Sequence, residues 1–276
     1  MNRYRGKTAV VTGGAAGIGQ ALCEELAHRG AHVIVVDVDD VGAQHVVAAI
    51  TQQGGKAYAA HVDVSKEQDV SQLIENIVLA HGHLDFLFNN AGIAIGGDTR
   101  DLTSQQWHRV FDVDLFGVVN GTLSAYRVMV KQGFGHIVNT ASVTGLLPQP
   151  LNAPYCTSKH AIVGLSLSLR YEGADMGVKV TVVCPGYVRT NMYQNMVVPN
   201  VPREKLMAVV SQRRHVEAPR AARIILDGVA HNRDIILFPL SVRWVWRLYR
   251  LFPRIFDGVL FHRVREFRKY RETTAQ

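Results

Sequence analysis

Short apolar runs alternate with segments of helical periodicity along most of the chain. Six runs of mainly apolar residues, each bounded by turn residues, are typical of buried strands; they cover residues 7–11, 32–36, 57–62, 84–88, 137–142 and 178–183. Between them, apolar residues recur every three or four positions, as at Leu22 and Leu26 or at Ile74 and Ile77. This alternation predicts an α/β fold with a doubly wound parallel sheet.

The pattern changes near residue 240. We therefore predict one domain over residues 1–240 and an extension over residues 241–276. The extension holds nine Lys and Arg against three Asp and Glu, whereas the rest of the chain holds 21 against 20. The net charge of +7 thus lies mostly in the extension.

The basic residues of the extension recur at helical spacing. Arg243, Arg247, Arg250 and Arg254 form one stripe of a helix, with Trp, Leu and Phe on its other faces. A basic amphipathic helix suits an anionic membrane surface. It also suits a flap over a substrate entrance or a contact between subunits, and the sequence leaves these three alternatives open. Nothing else in the chain is typical of a nucleic-acid-binding module.

Composition narrows the class of protein further. A chain of 276 residues with 47% hydrophobic and 19% charged residues is ordinary for a globular domain. It has no apolar run of eighteen residues, and the pattern at its start predicts no signal peptide. The cysteines Cys23, Cys156 and Cys184 have unrelated spacings, which favours neither disulfides nor a metal site. We expect a cytoplasmic protein, with peripheral attachment to the inner membrane face as an alternative.

A glycine-rich turn follows the first predicted strand and opens a helix. Its glycines are Gly13, Gly17 and Gly19, with Ala16 and Ile18 between them. Glycines let the backbone approach a diphosphate, and the helix N-terminus supplies N–H groups and partial positive charge. In a strand–turn–helix–strand unit this spacing predicts a Rossmann-like dinucleotide site.

Asp37, at the end of the second strand, bears on the choice of cofactor. A carboxylate there accepts hydrogen bonds from the ribose hydroxyls of NAD and repels the 2′-phosphate of NADP. The turn offers no Lys or Arg, and Val38 follows the acid. The predicted cofactor is therefore NAD.

Further candidate residues follow the other strands. In open α/β sheets, ligands bind outside the carboxyl ends of the strands, and the residues expected there are Asp63, Val64, Asn90, Ala91, Gly92, Ser142, Pro185, Gly186, Val188 and Thr190. Asp63 suits either an adenine contact or the cap of a helix opening at Ser65. Asn89 and Asn90 suit stapling of strands, cofactor contact, or both.

Tyr155 and Lys159 lie four residues apart in a predicted helix, and Ser142 lies thirteen residues upstream of Tyr155. Side chains at this spacing share one helix face. A positive charge about 4 Å from a phenol in a partly dry site lowers its pKa from about 10 by roughly three. The pair is thus a candidate acid–base group at neutral pH.

Together these motifs resemble the short-chain dehydrogenase/reductase family over about residues 5–240. The resemblance implies that Ser142 orients an alcohol or carbonyl, that Tyr155 is the general acid/base, and that Lys159 lowers the pKa of Tyr155 and holds the nicotinamide ribose. It also implies a homodimer or homotetramer.

One position departs from the family pattern. The family usually has Asn in the helix that corresponds to residues 107–119, where it completes a proton relay with the Lys; here that position is Asp114. An acid on an apolar face is costly without a partner, so Asp114 is either exposed or functional. A relay role and a structural role both remain open. Asn120 lies on another face and is a poor substitute.

Residues 187–218 follow the sheet edge without clear periodicity. Tyr187, Met192, Tyr193 and Met196 are the candidate substrate contacts, and they favour a small apolar secondary alcohol or ketone of the steroid, retinoid or long-chain type. A lid that packs on its own core is the alternative. The rival functions are a 3-oxoacyl thioester reductase, which Asp37 disfavours, and a dinucleotide-binding scaffold without catalysis.

Overall fold

The computed structural model describes residues 3–211 and 215–270. Its centre is a parallel sheet of seven strands in the order β3-β2-β1-β4-β5-β6-β9. The strands of this sheet are β1 (Thr8–Thr12), β2 (His32–Asp37), β3 (Lys56–His61), β4 (Phe86–Asn89), β5 (Gly135–Thr140), β6 (Val178–Pro185) and β9 (Ile235–Phe238). A small parallel pair, β7 (Val188–Arg189) and β8 (Val216–Glu217), lies apart from it.

Helices connect the strands and cover both faces of the sheet. They are α1 (Gly17–His28), α2 (Asp40–Gln52), α3 (Glu67–His81), α4 (Ser104–Val110), α5 (Gly117–Gln132), α6 (Ala153–Glu172), α7 (Arg203–Ser211), α8 (Ala218–Ala230), α9 (Leu240–Leu251) and α10 (Asp257–Tyr270). One core layer joins the sheet to α1, α2 and α8, and the layers on the other face join it to α3, α5 and α6. The doubly wound α/β fold predicted from the sequence is therefore confirmed.

The central strands are buried on both faces. In β1 all five residues are buried, and Val33, Ile34, Val35 and Val36 of β2 are at most 1% exposed. Burying an aliphatic side chain this completely contributes about 1.5–3 kcal/mol. That is why these strands appear in the sequence as continuous apolar runs.

Strand β9 is not among the six strands predicted from the sequence. This strand has only four residues, and Pro239 ends it. Its register is set by β6, whose Val182 and Cys184 pair with Ile235 and Leu237. Helix α8 before it was missed as well, although Ala222, Ile225 and Leu226 form its buried face.

The helix predicted over residues 107–119 is longer and contains a π-helical segment. Helix α4 begins after a capping box of Thr103 and Gln106, and residues Phe111–Phe116 form the π-helical turns that lead into α5. A π-helical insertion adds a residue to the turn and changes which side chains face inward. Asp114 lies on this segment and is fully buried, so its exposed alternative is wrong.

The region after β6 is more ordered than its lack of periodicity indicates. It holds β7, α7 and β8, and a bridge pairs Ile95 with Val197. Residues 212–214 of this region lie outside the described part of the chain.

The extension folds into two helices, and the stripe of basic residues predicted from the sequence does not lie on a single helix. Helix α9 ends before a short 3-10 segment, Pro253–Phe256, and α10 follows. Pro253 breaks the helix because it lacks an N–H donor. Residues 271–276 lie outside the described residues. Within residues 3–211 and 215–270, no helix is both long and apolar enough to cross a bilayer.

Candidate active site

A cleft of about 1050 Å³ opens along the carboxyl ends of the central strands. This volume lies at the upper end of the range for small-molecule sites. The predicted residues that line the cleft are Gly13, Ala16, Gly17, Ile18, Asp37, Asp63, Val64, Asn90, Ala91, Gly92, Ser142, Tyr155, Lys159, Pro185, Gly186, Val188, Thr190, Met192 and Tyr193. Nearly all of the site residues predicted from the sequence therefore lie in this one cleft at the carboxyl ends of the strands.

Three predicted site residues and Asp114 do not line the cleft. Gly19 lies behind the turn, where an added Cβ would overlap the carbonyl oxygen of Gly13. Tyr187 packs against Tyr193 and His215, with ring centroids 5.8 and 6.1 Å away. Met196 packs against the backbone of Gly96.

Several lining residues were missed by the sequence analysis. Gln105, His108, Arg109 and Asp112 reach the cleft from α4 and the π-helical segment. This helix was identified only by its apolar stripe, and its polar residues resemble an ordinary solvent-facing side. The π-helical segment has no clear signal in the sequence.

The glycine-rich turn forms a close-packed cradle. Gly13 and Gly17 have φ values of +64° and +59°, which side chains with a Cβ rarely adopt. A Cβ at Gly13 would lie 2.8 Å from the Cα of Ala91. Helix α1 begins here, and its N-cap residue, Ala16, has no side chain that caps the first N–H groups. Those N–H groups remain available to an anion such as a diphosphate.

Asp37 lies at the adenosine end expected for a dinucleotide. Its carboxylate accepts hydrogen bonds from the backbone N–H groups of Ala15 at 3.0 Å and Asp39 at 3.1 Å. Val38 beside it is exposed and carries no charge. The carboxylate therefore ties the glycine-rich turn to the end of β2 and faces the cleft at the same time.

Thr12 and Asn90 join the turn to the end of β4. The Thr12 hydroxyl accepts hydrogen bonds from the N–H groups of Asn90 at 2.9 Å and Ala91 at 3.1 Å. The Asn90 amide donates to the carbonyl oxygen of Thr12 at 3.2 Å. Asn89 instead points into the core and donates to Asn139 at 2.9 Å. Stapling is thus confirmed for both amides, and Asn90 also lines the cleft.

Asp63 organises the turn after β3. It accepts hydrogen bonds from the N–H and hydroxyl of Ser65, at 3.0 and 2.7 Å. Helix α3 begins later, with Lys66 as its N-cap residue, so Asp63 is not a helix cap. Hydrogen bonding by Ser65 lowers the pKa of Asp63. A charged carboxylate is therefore kept at the rim of the cleft.

Ser142, Tyr155 and Lys159 come together at the base of the cleft. Ser142 follows β5, and its hydroxyl accepts a hydrogen bond from the Thr144 N–H at 3.2 Å, which fixes its rotamer. The Ser142 hydroxyl lies close enough to the Tyr155 phenol to lower the pKa of that phenol. The Lys159 ammonium lies 5.3 Å from the centre of the Tyr155 ring. The predicted triad is thus assembled on β5 and α6.

Lys159 has partners of its own. Its ammonium donates to the Thr140 carbonyl oxygen at 3.2 Å and lies 3.1 Å from Oδ2 of Asp114. The other carboxylate oxygen of Asp114 accepts the N–H of Ile93 at 2.7 Å. Asn120 donates elsewhere, to the Val64 carbonyl oxygen at 3.0 Å. Asp114 therefore connects Lys159 to the chain segment after β4.

The pKa of Tyr155 is shifted in the direction opposite to that expected from the sequence. Burial of the hydroxyl raises it, and the negative charge of Asp114 raises it further, while the nearby Ser142 hydroxyl opposes the rise. The lowering expected from the sequence depended on the charge of Lys159 alone. Because Asp114 pairs with that ammonium, the two charges largely cancel at the phenol.

The fold and this cleft define a class of protein: a parallel α/β oxidoreductase with a dinucleotide-type site and a Ser, Tyr and Lys triad. Comparison with known proteins makes the class specific. Residues 7–199 match the family model described as short chain dehydrogenase. The chain belongs to the short-chain dehydrogenase/reductase family.

Relatives at the sequence level cover different shares of the chain. SadH of Mycobacterium tuberculosis is 32% identical over 271 residues, which are 97% of this chain and 98% of that protein. A 2,5-dichloro-2,5-cyclohexadiene-1,4-diol dehydrogenase of Sphingobium indicum is 37% identical over 70% of this chain and 77% of its own. A cyclohexanol dehydrogenase of an Acinetobacter species is 36% identical over 68% and 76%, respectively.

Solved structures share the architecture over most of the chain. A short-chain dehydrogenase/reductase from Burkholderia phymatum in complex with NAD has a TM-score of 0.84 at 29% identity, covering 91% of this chain and 95% of its own. Levodione reductase has a TM-score of 0.77 at 27% identity, covering 86% and 97%.

Proposed function

We propose that the protein is an NAD-dependent oxidoreductase that interconverts a lipophilic secondary alcohol and its ketone. The observation that carries this proposal is the meeting of Ser142, Tyr155 and Lys159 in one cleft with the glycine-rich turn. Hydride transfer requires a nucleotide-binding site and a proton-transfer group in one cleft. This cleft has the two at opposite ends.

The residues of the cleft fit a nicotinamide dinucleotide. The backbone cradle at Gly13 and Gly17 and the N-terminus of α1 would hold the diphosphate, and Asp37 the adenosine ribose. Lys159 would bind the nicotinamide ribose. The bound cofactor supplies the hydride acceptor or donor. Because Asp37 repels a 2′-phosphate and Val38 offers no cation, NAD is the preferred form.

Proton transfer falls to Tyr155. The Ser142 hydroxyl, held by Thr144, orients the substrate oxygen beside the phenol. In alcohol oxidation the Tyr155 phenolate takes the hydroxyl proton, and in ketone reduction the neutral phenol returns it. Because burial raises the pKa of Tyr155, the phenol stays protonated near neutral pH. We expect ketone reduction to be favoured there and oxidation to quicken at alkaline pH.

Part of the remaining wall of the cleft is apolar. Its apolar side chains are Ile93, Ile95, Val113, Met192 and Val197, beside the polar ones that α4 contributes. The proteins that act on a cyclohexadienediol and on cyclohexanol are relatives of this chain. Both observations support a cyclic or otherwise lipophilic secondary alcohol, a description that includes the steroid, retinoid and long-chain alternatives.

The test is reduced-nicotinamide absorbance with a panel of cyclic and linear secondary alcohols and ketones, each assayed with NAD(H) and with NADP(H). Tyr155→Phe should lower kcat by at least about 100-fold while binding of NADH persists. Tyr171→Phe is the matched control, because this exposed tyrosine lies on the same helix. Substantial turnover by Tyr155→Phe would remove the phenol from the mechanism.

The same panel separates the rival functions. Preference for 3-oxoacyl thioesters with NADPH would support a thioester reductase. Cofactor binding without turnover of any substrate would support a scaffold, the alternative that the departure at Asp114 leaves open.

A further inference from the structure

Helix α9 presents an apolar face that the described part of the chain leaves uncovered. The face consists of Leu240, Trp244, Val245, Leu248 and Leu251, and Phe252 follows directly after the helix; each is at least 40% exposed. At 100° per residue the five helical positions fall within less than half of the helix circumference. Scattered apolar residues are normal on a surface, but a contiguous face marks an interaction site.

The opposite side of α9 accounts for how the helix is held. Val242 and Trp246 pack on the core layer beside β6 and β9. Arg243 donates to the carbonyl oxygen of Leu237 at 3.0 Å. The helix is therefore fixed to the sheet by this side, which holds the apolar face outward.

A row of guanidinium groups borders the apolar face. Arg247 and Arg250 follow one another along α9, and Arg254 continues the row beyond its end. Arg247 lies over the ring of Trp244, 5.3 Å from its centre, and Arg250 over Trp246 at 5.4 Å. Trp at the edge of an apolar face with Arg beside it is the arrangement that suits the interface between acyl chains and headgroups.

From this juxtaposition we infer that α9 docks on an anionic lipid surface, with its apolar face in the acyl boundary and its arginines on lipid phosphates. The positive charge of the extension favours an anionic lipid surface over a second copy of the chain as the partner of α9. The extension holds nine basic and three acidic residues, and the rest of the chain is nearly neutral, with 21 against 20. Two such helices packed on each other would bring like charges together, whereas anionic lipid neutralises them.

The inference stands apart from the proposed reaction, and the test keeps them apart. Full-length protein is sedimented with phosphatidylcholine vesicles and with vesicles that also contain phosphatidylglycerol. We expect pelleting with the anionic vesicles, weakened by salt, and a blue shift of tryptophan fluorescence. Activity on a water-soluble alcohol is measured in parallel, so that loss of membrane binding and loss of catalysis are read separately.

Two variants dissect the surface. The first is a triple variant that combines Trp244→Ser, Leu248→Ser and Phe252→Ser. It should bind vesicles at least about tenfold more weakly, because the apolar area that inserts into the membrane is removed. The second, Arg247→Gln with Arg250→Gln and Arg254→Gln, should weaken binding to anionic vesicles on the order of 100-fold. All six changes fall on exposed side chains, so the fold should persist, which circular dichroism verifies.

Matched controls use exposed residues elsewhere. Val41→Ser with Leu79→Ser and Tyr171→Ser removes equal numbers of exposed apolar side chains, and Arg127→Gln with Lys131→Gln and Arg223→Gln removes equal charge. Both controls should pellet like the wild type. Equal pelleting of the α9 variants and the wild type overturns the inference. The inference is also overturned if sedimentation velocity shows that the wild type is a dimer and the apolar α9 variant a monomer, and if neither protein binds vesicles.

Discussion

The ammonium of Lys159 lies 3.1 Å from Oδ2 of Asp114, and the two side chains are only 3% and 0% exposed. A buried pair of this kind is held because removing either partner leaves an uncompensated charge. Here it also sets the electrostatic environment of Tyr155, since the carboxylate raises the pKa of that phenol.

Asp114→Asn should move the pH dependence of alcohol oxidation. The neutral amide still offers an oxygen to the Ile93 N–H, and loss of the negative charge lowers the pKa of Tyr155. Oxidation needs the phenolate, so the rise of kcat/KM with pH should shift to lower pH. Rate profiles of the two proteins, measured from neutral to alkaline pH, check this.

Two further variants delimit that result. Asp112→Asn removes an exposed charge from the same π-helical segment, and an equal shift there would show that the ion pair has no special role. Asp114→Ala leaves Lys159 buried without its counter-charge and should cost about 3–5 kcal/mol in the free energy of unfolding.

Asp37→Ala should reduce the preference for NAD over NADP. Removing the carboxylate removes its repulsion of a 2′-phosphate, and we expect the ratio of the two kcat/KM values to fall by at least about tenfold. Asp40→Ala is the control, because Asp40 is an exposed acid in the first turn of α2 and does not line the cleft. That variant should keep the cofactor ratio of the wild type. An unchanged ratio in Asp37→Ala would contradict the proposed discrimination.

Two glycines in helices should respond oppositely to alanine. Gly19 has no room for a methyl group beside the Gly13 carbonyl oxygen, so Gly19→Ala should distort the turn and abolish NADH binding. Gly164 lies exposed in α6, with no atom close to an added Cβ. Gly164→Ala should therefore raise stability by about 1 kcal/mol. Thermal unfolding and NADH titration of both variants test the pair.

His136 should make stability depend on pH. Burial lowers its pKa to about 3, below the ordinary value of 6.5. Its Nε2 lies 2.8 Å from the Thr181 hydroxyl, which itself donates to the Arg233 carbonyl oxygen, so Nε2 carries the hydrogen. Between these pKa values the unfolded chain binds a proton that the folded chain does not, and stability falls as pH falls.

The expected loss from His136 is about 1.4 kcal/mol for each pH unit below 6.5. His136→Gln keeps a donor toward Thr181 and should flatten this dependence in urea unfolding at pH 7 and pH 5. His45→Gln, at an exposed position of α2, is the control and should leave the slope as in the wild type. A His136→Gln slope equal to that of the wild type would refute the assignment.

What the sequence predicts well is what depends on local pattern. The two-sided burial of β1 and β2 leaves continuous apolar runs, and parallel strands place Gly13, Ser142 and Pro185 at one edge without knowledge of any contact. The family motifs added the pairing of Ser142 with Tyr155.

Features that depend on the phase of a helix, or on contacts between residues far apart in the sequence, could not be predicted. The apolar stripe placed Asp114 on the inward face of its helix, but no residue pattern announces the π-helical segment that carries it. Burial of the phenol, together with the nearby carboxylate of Asp114, then reverses the expected pKa direction at Tyr155. Strand β9 is short enough that only its pairing with β6 identifies it.

Arg268 of α10 donates to the carboxylate of Asp98 at 2.8 Å across 170 residues of sequence. Arg100 bonds the same buried carboxylate at 3.0 Å, and Asp98 follows the loop on which Ile95 faces the cleft. Residues 241–270 are thus no detachable appendage. Cutting the chain after residue 240 would remove one of two cations from the buried Asp98 carboxylate, three residues after Ile95 in the cleft wall. Kinetics of a truncated protein would therefore not represent those of the whole chain.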